Sequence, residues 1–351
     1  MTAALHPKLE PPDAASLRTF WDAQQLFLTE QLRAAVPASS KVALVDYPVH
    51  GNTGDHLILL GTEQWALSQK LHIVGRWHID NFLFRPLPKD TIILCQGGGN
   101  FGDLYRFQGF RERVVAAYPH NRIVMLPQTI HFRSKANLEQ SASRLRRHHD
   151  IHLFVRDHRS FETASRWFSG CRPTLVPDMA AFLHPIPETL RCTLPATPRR
   201  NELRFFRKDR ERTQIPKEND GSAIDWDDLS RWHVPYILGA VAAGFLFGRV
   251  IPAGYASRHW MTFCRNRSIR AARELADHRL VRTNRMHCHI LACLLGVPNV
   301  VHDNSYGKCS SYYAAWHSTL RFTRFSPNAE GSQAIASESL ATYVPANPAT
   351  L

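Results

Sequence analysis

From Lys41 onward the chain alternates short, β-branched apolar runs with longer amphipathic stretches. The runs Val42–Asp46, Ile92–Cys95, Arg122–Leu126, His152–Val155 and Thr174–Val176 predict strands. Between them, Asp55–Gln69, Asp103–Tyr118, Ser134–His148 and His158–Phe168 predict helices. In the last of these, Phe161, Ala164, Ser165 and Phe168 recur at helical spacing and would face a sheet. This rhythm predicts a mostly parallel, doubly wound sheet with helices on both faces. It stops at His184–Arg200, where four prolines mark a linker. A strand at Glu202–Phe206 and a polar loop at Arg207–Ser222 follow, then helical segments at Trp226–Phe247 and Trp260–His278. A strand at Leu280–Thr283, a helix at Met286–Leu295 and a strand at Asn299–His302 complete a second, shorter α/β unit. The expected architecture is α/β, with two Rossmann-like lobes and a ligand cleft between them. Its divisions are an N-terminal helical extension (1–40), a first lobe (41–183), the linker (184–200), a second lobe (201–326) and a polar tail (327–351).

At 351 residues and 44% apolar content, the chain can bury two such cores. Lys and Arg number 43 against 30 Asp and Glu, a net charge of +13 that favours anionic partners. The basic residues are dispersed and no recognition motif appears, which argues against nucleic acid. The seven cysteines form no Cys-x-x-Cys pair and several lie in apolar runs, as buried free thiols of a reducing compartment would. Met1–Ser16 has no apolar signal segment, and Tyr236–Phe247 is too short and Gly/Ala-rich for a membrane span. A cytoplasmic protein is expected.

The chemistry is expected on two copies of Gly-Asn-x-Gly-Asp, at Gly51–Asp55 and Gly99–Asp103, each after a predicted strand and before a predicted helix. Glycines let backbone N–H groups approach a ligand, and a helix N-terminus adds partial positive charge. Asn52, Gly54, Asp55, Gly98, Gly99, Asn100 and Asp103 are therefore candidate ligand residues, with either Asp a candidate base. Each Asp reads equally as a helix cap and each Gly as a tight turn. Neither loop matches the dinucleotide or Walker fingerprints. A third cluster, Thr283–His289, follows a strand and opens an apolar helix, so Arg285 and His287 are expected in the same cleft. Lys308, after the next strand, offers a second cation. A metal at His287 and His289 is not expected, because companion ligands at the usual spacing are missing. Gln128, His131, Arg156, Asp157, Asp178 and Arg207–Asp209 also follow predicted strands, and each reads as well as a cap or an ion pair.

Together these motifs resemble the polysaccharide pyruvyl transferases. The likeness runs from about Lys41 to Trp316 and is carried by GNTGD (51–55), QGGGNFGD (96–103), LPQTIHF (126–132), VRDHRS (155–160), VPDMA (176–180) and TNRMHCHILACLLGVPNVVHDNSYGK (283–308). The resemblance implies a glycosyltransferase-B-like fold and transfer of a pyruvyl group from phosphoenolpyruvate to a sugar, forming a ketal across two hydroxyls. Phosphoenolpyruvate would be a co-substrate, with no other cofactor and no metal. On that reading Arg285, Lys308, Arg156 and His287 hold the donor, His287 is the acid, and Asp55 or Asp103 is the base. Asn52, Gly54, Asp55, Gly98, Gly99, Asn100, Asp103 and Gln128 would seat the sugar, a lipid-linked oligosaccharide of an exopolysaccharide repeat unit. That acceptor implies peripheral contact with the inner face of the cytoplasmic membrane. Family members commonly carry Asp where this chain has Asn284 and Gly where it has Cys288, so residue 284 cannot serve here as a base. The alternative on the same fold is a nucleotide-sugar glycosyltransferase.

Overall fold

The computed structural model describes residues 9–186, 191–209, 223–229 and 253–327. The expected helix through Phe247, the segment Tyr236–Phe247, most of the loop 207–222 and the tail beyond Pro327 lie outside them. Among the described residues no helix is long and apolar enough to cross a membrane.

The chain opens with α1 (Ala14–Ala35), capped by Asp13, whose side chain accepts from Ser16 N. β1 (Lys41–Val45) and α2 (Thr53–Ser68) follow, then β2 (His72–Arg76), β3 (Ile92–Cys95) and β4 (Gly98–Gly102). Next come α3 (Phe107–Ala117), β5 (Ile123–His131), α4 (Lys135–Leu145), β6 (Ile151–Val155), α5 (His158–Trp167) and β7 (Pro173–Leu175). The seven strands form one parallel sheet in the order β2-β1-β3-β5-β6-β7, with β4 pairing the far half of β5. Strand order reverses between β1 and β3, so the loops after these strands diverge and leave a crevice at their carboxyl ends. Most strand residues are buried, as expected for a sheet covered on both faces.

β8 (Arg200–Phe205), α6 (Ala253–Ala276), β9 (His278–Thr283), α7 (Met286–Leu295), β10 (Asn299–Val301), α8 (Lys308–Tyr312) and β11 (Thr323–Phe325) build the smaller part. Its four parallel strands run in simple sequence, β11-β10-β9-β8. α7 is buried almost all round, and Gly296 ends it in the left-handed conformation.

Several contacts tie the two sheets together, two of them made by whole helices. α1 places Trp21 in the core of the smaller sheet and Leu28 and Leu32 in the core of the larger. It is thus a strap across both, and burial of each such side chain contributes on the order of 1.5–3 kcal/mol. In addition, α6 packs on α2. All seven cysteines are free, and only Cys192 is exposed.

Two expectations fail near the second glycine loop. Gly98–Gly102 is strand β4 and not a turn, and the following helix begins at Phe107 instead of Asp103. Gly98 and Gly102 have φ of +146° and +145°. A Cβ on Gly102 would lie 1.7 Å from the His131 carbonyl oxygen. These glycines let a strand press against β5, which a periodicity argument reads as a turn.

Candidate functional site

The first loop leaves β1 through Asp46, which has a left-handed φ of +63°. Asn52 then caps α2. Its Oδ1 accepts from Gly54 N at 3.0 Å and its Nδ2 donates to Asp55 Oδ2 at 2.8 Å. Asp55 therefore sits in the first turn of the helix, with His50 Nε2 3.5 Å from its Oδ2. Two residues of α6 grip this loop from the other sheet. Arg267 donates to Gly51 O (2.9 Å) and Thr53 Oγ1 (3.3 Å), and Trp260 Nε1 donates to Pro48 O (3.1 Å). No sequence pattern pointed to Arg267, because it lies more than 200 residues from the loop it holds.

His287, in the first turn of α7, packs directly on Gly54. A Cβ there would stand 2.7 Å from the ring Nδ1, so only glycine allows the approach. The other ring nitrogen, Nε2, lies 3.3 Å from Arg156 Nη1 and 3.5 Å from Asp178 Oδ2. Asp178 joins these groups: its Oδ2 accepts from Arg156 and its Oδ1 from Ala180 N at 2.8 Å. Burial opposes ionisation of Asp178, but Arg156, His287 and the Ala180 N–H hold its carboxyl well below the usual range. Burial lowers the His287 imidazole against the pull of Asp178, so the ring is neutral at pH 7 without ligand.

Arg156 is fully buried and also donates from Nε to Thr129 Oγ1 at 3.0 Å. Its Nη2 has no hydrogen-bond partner among the described residues. A Cβ on Gly99 would lie 3.3 Å from that nitrogen and 3.1 Å from Lys308 Nζ. On the other side, the Cβ position of Gly98 lies 3.6 Å from Asp55 Oδ1. Asn52, Gly54, Asp55, Gly98, Gly99, Arg156, Asp178, His287 and Lys308 thus converge on one place at the strand-order reversal. The arrangement offers two cations and a helix N-terminus to an anion, with an imidazole and a carboxylate beside them.

Other expected residues are placed elsewhere. The Arg285 guanidinium is engaged by two carboxylates: Nε and Nη2 donate to Asp225 at 2.8 and 2.5 Å, and Nη1 lies 2.9 Å from Asp209 Oδ2. The expected open fork is closed, because three acidic oxygens reach it before any ligand. Asp103 accepts from Arg133 N (2.7 Å), Ser134 N (3.0 Å) and Asn137 Nδ2 (2.9 Å), binding the start of α4. Burial is the largest single influence and raises it, yet the bonds from Arg133, Asn137 and Ser134 together hold its carboxyl below the ordinary value. Asn100 gives its side-chain and backbone oxygens to Arg111, which also pairs with the buried Asp46 at 2.5 Å. Burial pushes the Asp46 carboxyl up to about 7, with Arg111 opposing. Gln128 donates to Gln96 O at 2.6 Å and staples the second loop from β5. Asn284 accepts from Arg207 N at 2.8 Å and fastens the end of β8, a task Asn performs as well as Asp. Burial raises the Cys288 thiol far above its ordinary range, so it is an inert core group.

A cavity of about 240 Å³ adjoins the cluster, bounded by Thr129–Phe132, Asp157, Arg159 and Tyr306–Lys308. The His131 and Tyr306 rings, both in its wall, stack directly on one another with centroids 4.2 Å apart and an interplanar angle of 18°. Arg159 donates to Tyr306 O at 2.8 Å.

The polysaccharide pyruvyl transferase family profile matches residues 52–306, a range that holds every residue of the cluster except Lys308. The Bacillus subtilis protein EpsO, which carries a pyruvyl transferase name, is 36% identical over 296 residues, covering 82% of this chain and 89% of EpsO. Pyruvyl transferase 1 of Schizosaccharomyces pombe is 29% identical over 318 residues, 87% of this chain and 77% of that one. The crystal structure of an uncharacterized Klebsiella pneumoniae protein superposes with a TM-score of 0.60 at 20% identity. It covers 86% of this chain and 98% of the other, and is a likeness of fold.

Proposed function

Because the chain belongs to the polysaccharide pyruvyl transferase family, we propose that it moves the enolpyruvyl group of phosphoenolpyruvate onto a saccharide and closes a pyruvate ketal. The observation that carries this reading is the buried, unpartnered Nη2 of Arg156 beside Gly99 and Lys308, with His287 and Asp178 adjoining. A buried guanidinium arm without an acceptor is costly unless a ligand supplies one. Phosphoenolpyruvate brings a phosphate and a carboxylate. Arg156, Lys308 and the N-terminus of α2 are the groups to receive them.

In this mechanism His287 protonates the methylene carbon of the donor, leaving an oxocarbenium-like centre at the adjacent carbon. The neutral resting ring must first gain a proton. The negative charge of the donor favours that, as Asp178 already does. A sugar hydroxyl then attacks while Asp55 takes its proton. Phosphate departs with the C–O bonding pair, and the second hydroxyl closes the ketal as its proton leaves with the phosphate. Holding the reactants side by side supplies several kcal/mol of the barrier, on the order of 7 at best alignment. Asp55 is preferred to Asp103 as base because it lies beside Gly98 and His50, whereas the Asp103 oxygens are taken by the N–H groups that start α4. Arg285 is reassigned to holding the segments that carry Asp209 and Asp225. The sugar lies along Asn52 and Asp55 and extends toward the cavity walled by His131 and Tyr306.

The two sheets form the lobes of a glycosyltransferase-B-like plan, residues 41–183 and 201–326, with the transfer site between them. The acceptor is a lipid-linked oligosaccharide of an exopolysaccharide repeat unit, met at the inner face of the cytoplasmic membrane. The net charge of +13 supports contact with that anionic surface. No observation favours the nucleotide-sugar alternative. The test is phosphate release from phosphoenolpyruvate in the presence of a panel of lipid-linked and free oligosaccharides. Acceptor-dependent phosphate with a matching pyruvyl mass gain on the sugar is expected. Thermal stabilisation by UDP-sugars and none by phosphoenolpyruvate would overturn the proposal.

A further inference from the structure

We propose that His289, Cys293 and His317 form a buried site for one divalent cation of the zinc class, in the core of the smaller sheet. The sequence offered His289 without evident companions. The fold brings them in. His289 and Cys293 lie one turn apart on α7, and His317 ends a π-helical turn, Tyr313–His317, that meets α7 side-on. Such wide turns are rare and recur at functional sites. All three side chains are buried, and one donor atom from each falls within 4.8 Å of the other two.

The orientation of His289 is decided by Asn299. Its Nδ2 donates to Val297 O at 3.0 Å and its Oδ1 accepts from Thr323 Oγ1 at 2.8 Å, which sets the amide the right way round. That Oδ1 lies 2.7 Å from His289 Nδ1, so Nδ1 carries the ring proton and Nε2 turns a lone pair inward. A hydrogen-bonded partner fixing the far nitrogen is how ligand histidines are oriented. His289 Nε2 faces His317 Nδ1 at 2.8 Å, while Cys293 Sγ lies 4.0 Å from that Nε2, 3.6 Å from the ring's Nδ1 and 3.6 Å from Asn299 Nδ2. Tetrahedral zinc with bonds of about 2.0–2.3 Å sets neighbouring donors roughly 3.3–3.7 Å apart. The imidazoles must therefore part by about half an ångström, and the sulfur, up to 4.8 Å from the His317 donor, must close on it by roughly 1 Å, movements that side-chain torsions supply. Without an ion the pair is a hydrogen bond from His317 Nδ1–H to His289 Nε2, and binding moves that proton to His317 Nε2.

Two imidazoles and one thiol select a borderline-soft metal over magnesium or calcium. Binding releases the Cys293 thiol proton and leaves both imidazoles neutral, so the filled site carries one positive charge. Asp178, which acts electrostatically on His317, partly balances it. None of the three ligands belongs to the proposed transfer site. The ion would brace the far side of the helix that carries His287.

The test is the metal content of the full-length protein purified without chelator from zinc-supplemented cells. About one zinc per chain is expected for the wild type and less than about a fifth of that for Cys293→Ser, which keeps a polar group of similar shape. Cobalt-grown wild type should show a thiolate-to-cobalt absorption band that Cys293→Ser lacks. Substoichiometric metal in the wild type, below about a tenth per chain, overturns the site by itself, whatever the variant does. Equal zinc in the two proteins also overturns it. Because metal is measured directly, these outcomes are independent of whether the chain transfers pyruvate.

Discussion

The loops Gly51–Asp55 and Gly99–Asp103 share four of five residues and differ in nearly everything the fold does with them. The first is a helix mouth: Asn52 caps α2, and Asp55 stands in its first turn beside His50 and Gly98. The second is a strand: Gly98–Gly102 pairs with β5, Asn100 is bound to Arg111, and Asp103 is spent on the start of α4. The lesson is one of partners. An Asn or Asp becomes available to a ligand only where neighbouring donors have not already saturated its oxygens. In the second loop only the glycine edge remains exposed to the cations, and Gly99 serves by having no side chain.

The largest test of this contrast is Asp55→Asn. It should lower pyruvyl transfer by about 10²–10⁴-fold, as loss of a general base does, with an unchanged melting temperature. Activity within threefold of wild type would remove Asp55 from the chemistry. The second is Gly102→Ala. A methyl group at a positive φ and 1.7 Å from a carbonyl oxygen should abolish soluble folded protein or cost several kcal/mol, on the order of 3. A wild-type denaturation midpoint would mean that β4 is not held as described. Third, Asp103→Asn should keep transfer within a few-fold while destabilising by about 1–2 kcal/mol, the scale of a lost charged cap. Chemical denaturation together with kcat measures both, and a thousandfold fall in kcat would restore Asp103 as base.

The smallest effect is invisible at neutral pH. Burial depresses His56, on α2 just past the first loop, to about 3. Its folded-state pKa lies below the unfolded value, so its stabilising contribution is present above pH 6.5. That contribution is lost as pH falls toward 3. His56→Gln should flatten the acid limb of the stability curve by up to about 1.4 kcal/mol per pH unit. Parallel curves for the two proteins between pH 4 and 6.5 would contradict a buried neutral ring.

Much of this was legible beforehand because it is local. Strands such as Ile92–Cys95 and helices such as Met286–Leu295 follow from apolar runs whose period needs no partner. β2 and β4 were missed for opposite reasons. β2 lies at the sheet edge and is only half apolar, and β4 is mostly glycine. Arg285 illustrates the limit at the site. Its place at the mouth of α7 was readable, but Asp225, sixty positions away, decides that its guanidinium is occupied.

By itself, then, the sequence determined the alternation of strands and helices, the glycine positions where only a bare backbone fits, and the family. Periodicity, conformational freedom and motif identity are all properties of short segments. Only the tertiary structure decided which polar groups are spent and which are left over. It paired Asp178 with Arg156 and His287, closed Arg285, turned Asp103 into a brace, and set His317 against His289. Hydrogen-bond saturation depends on distances of about 3 Å between residues far apart in the chain, and no pattern along one strand of sequence encodes those distances.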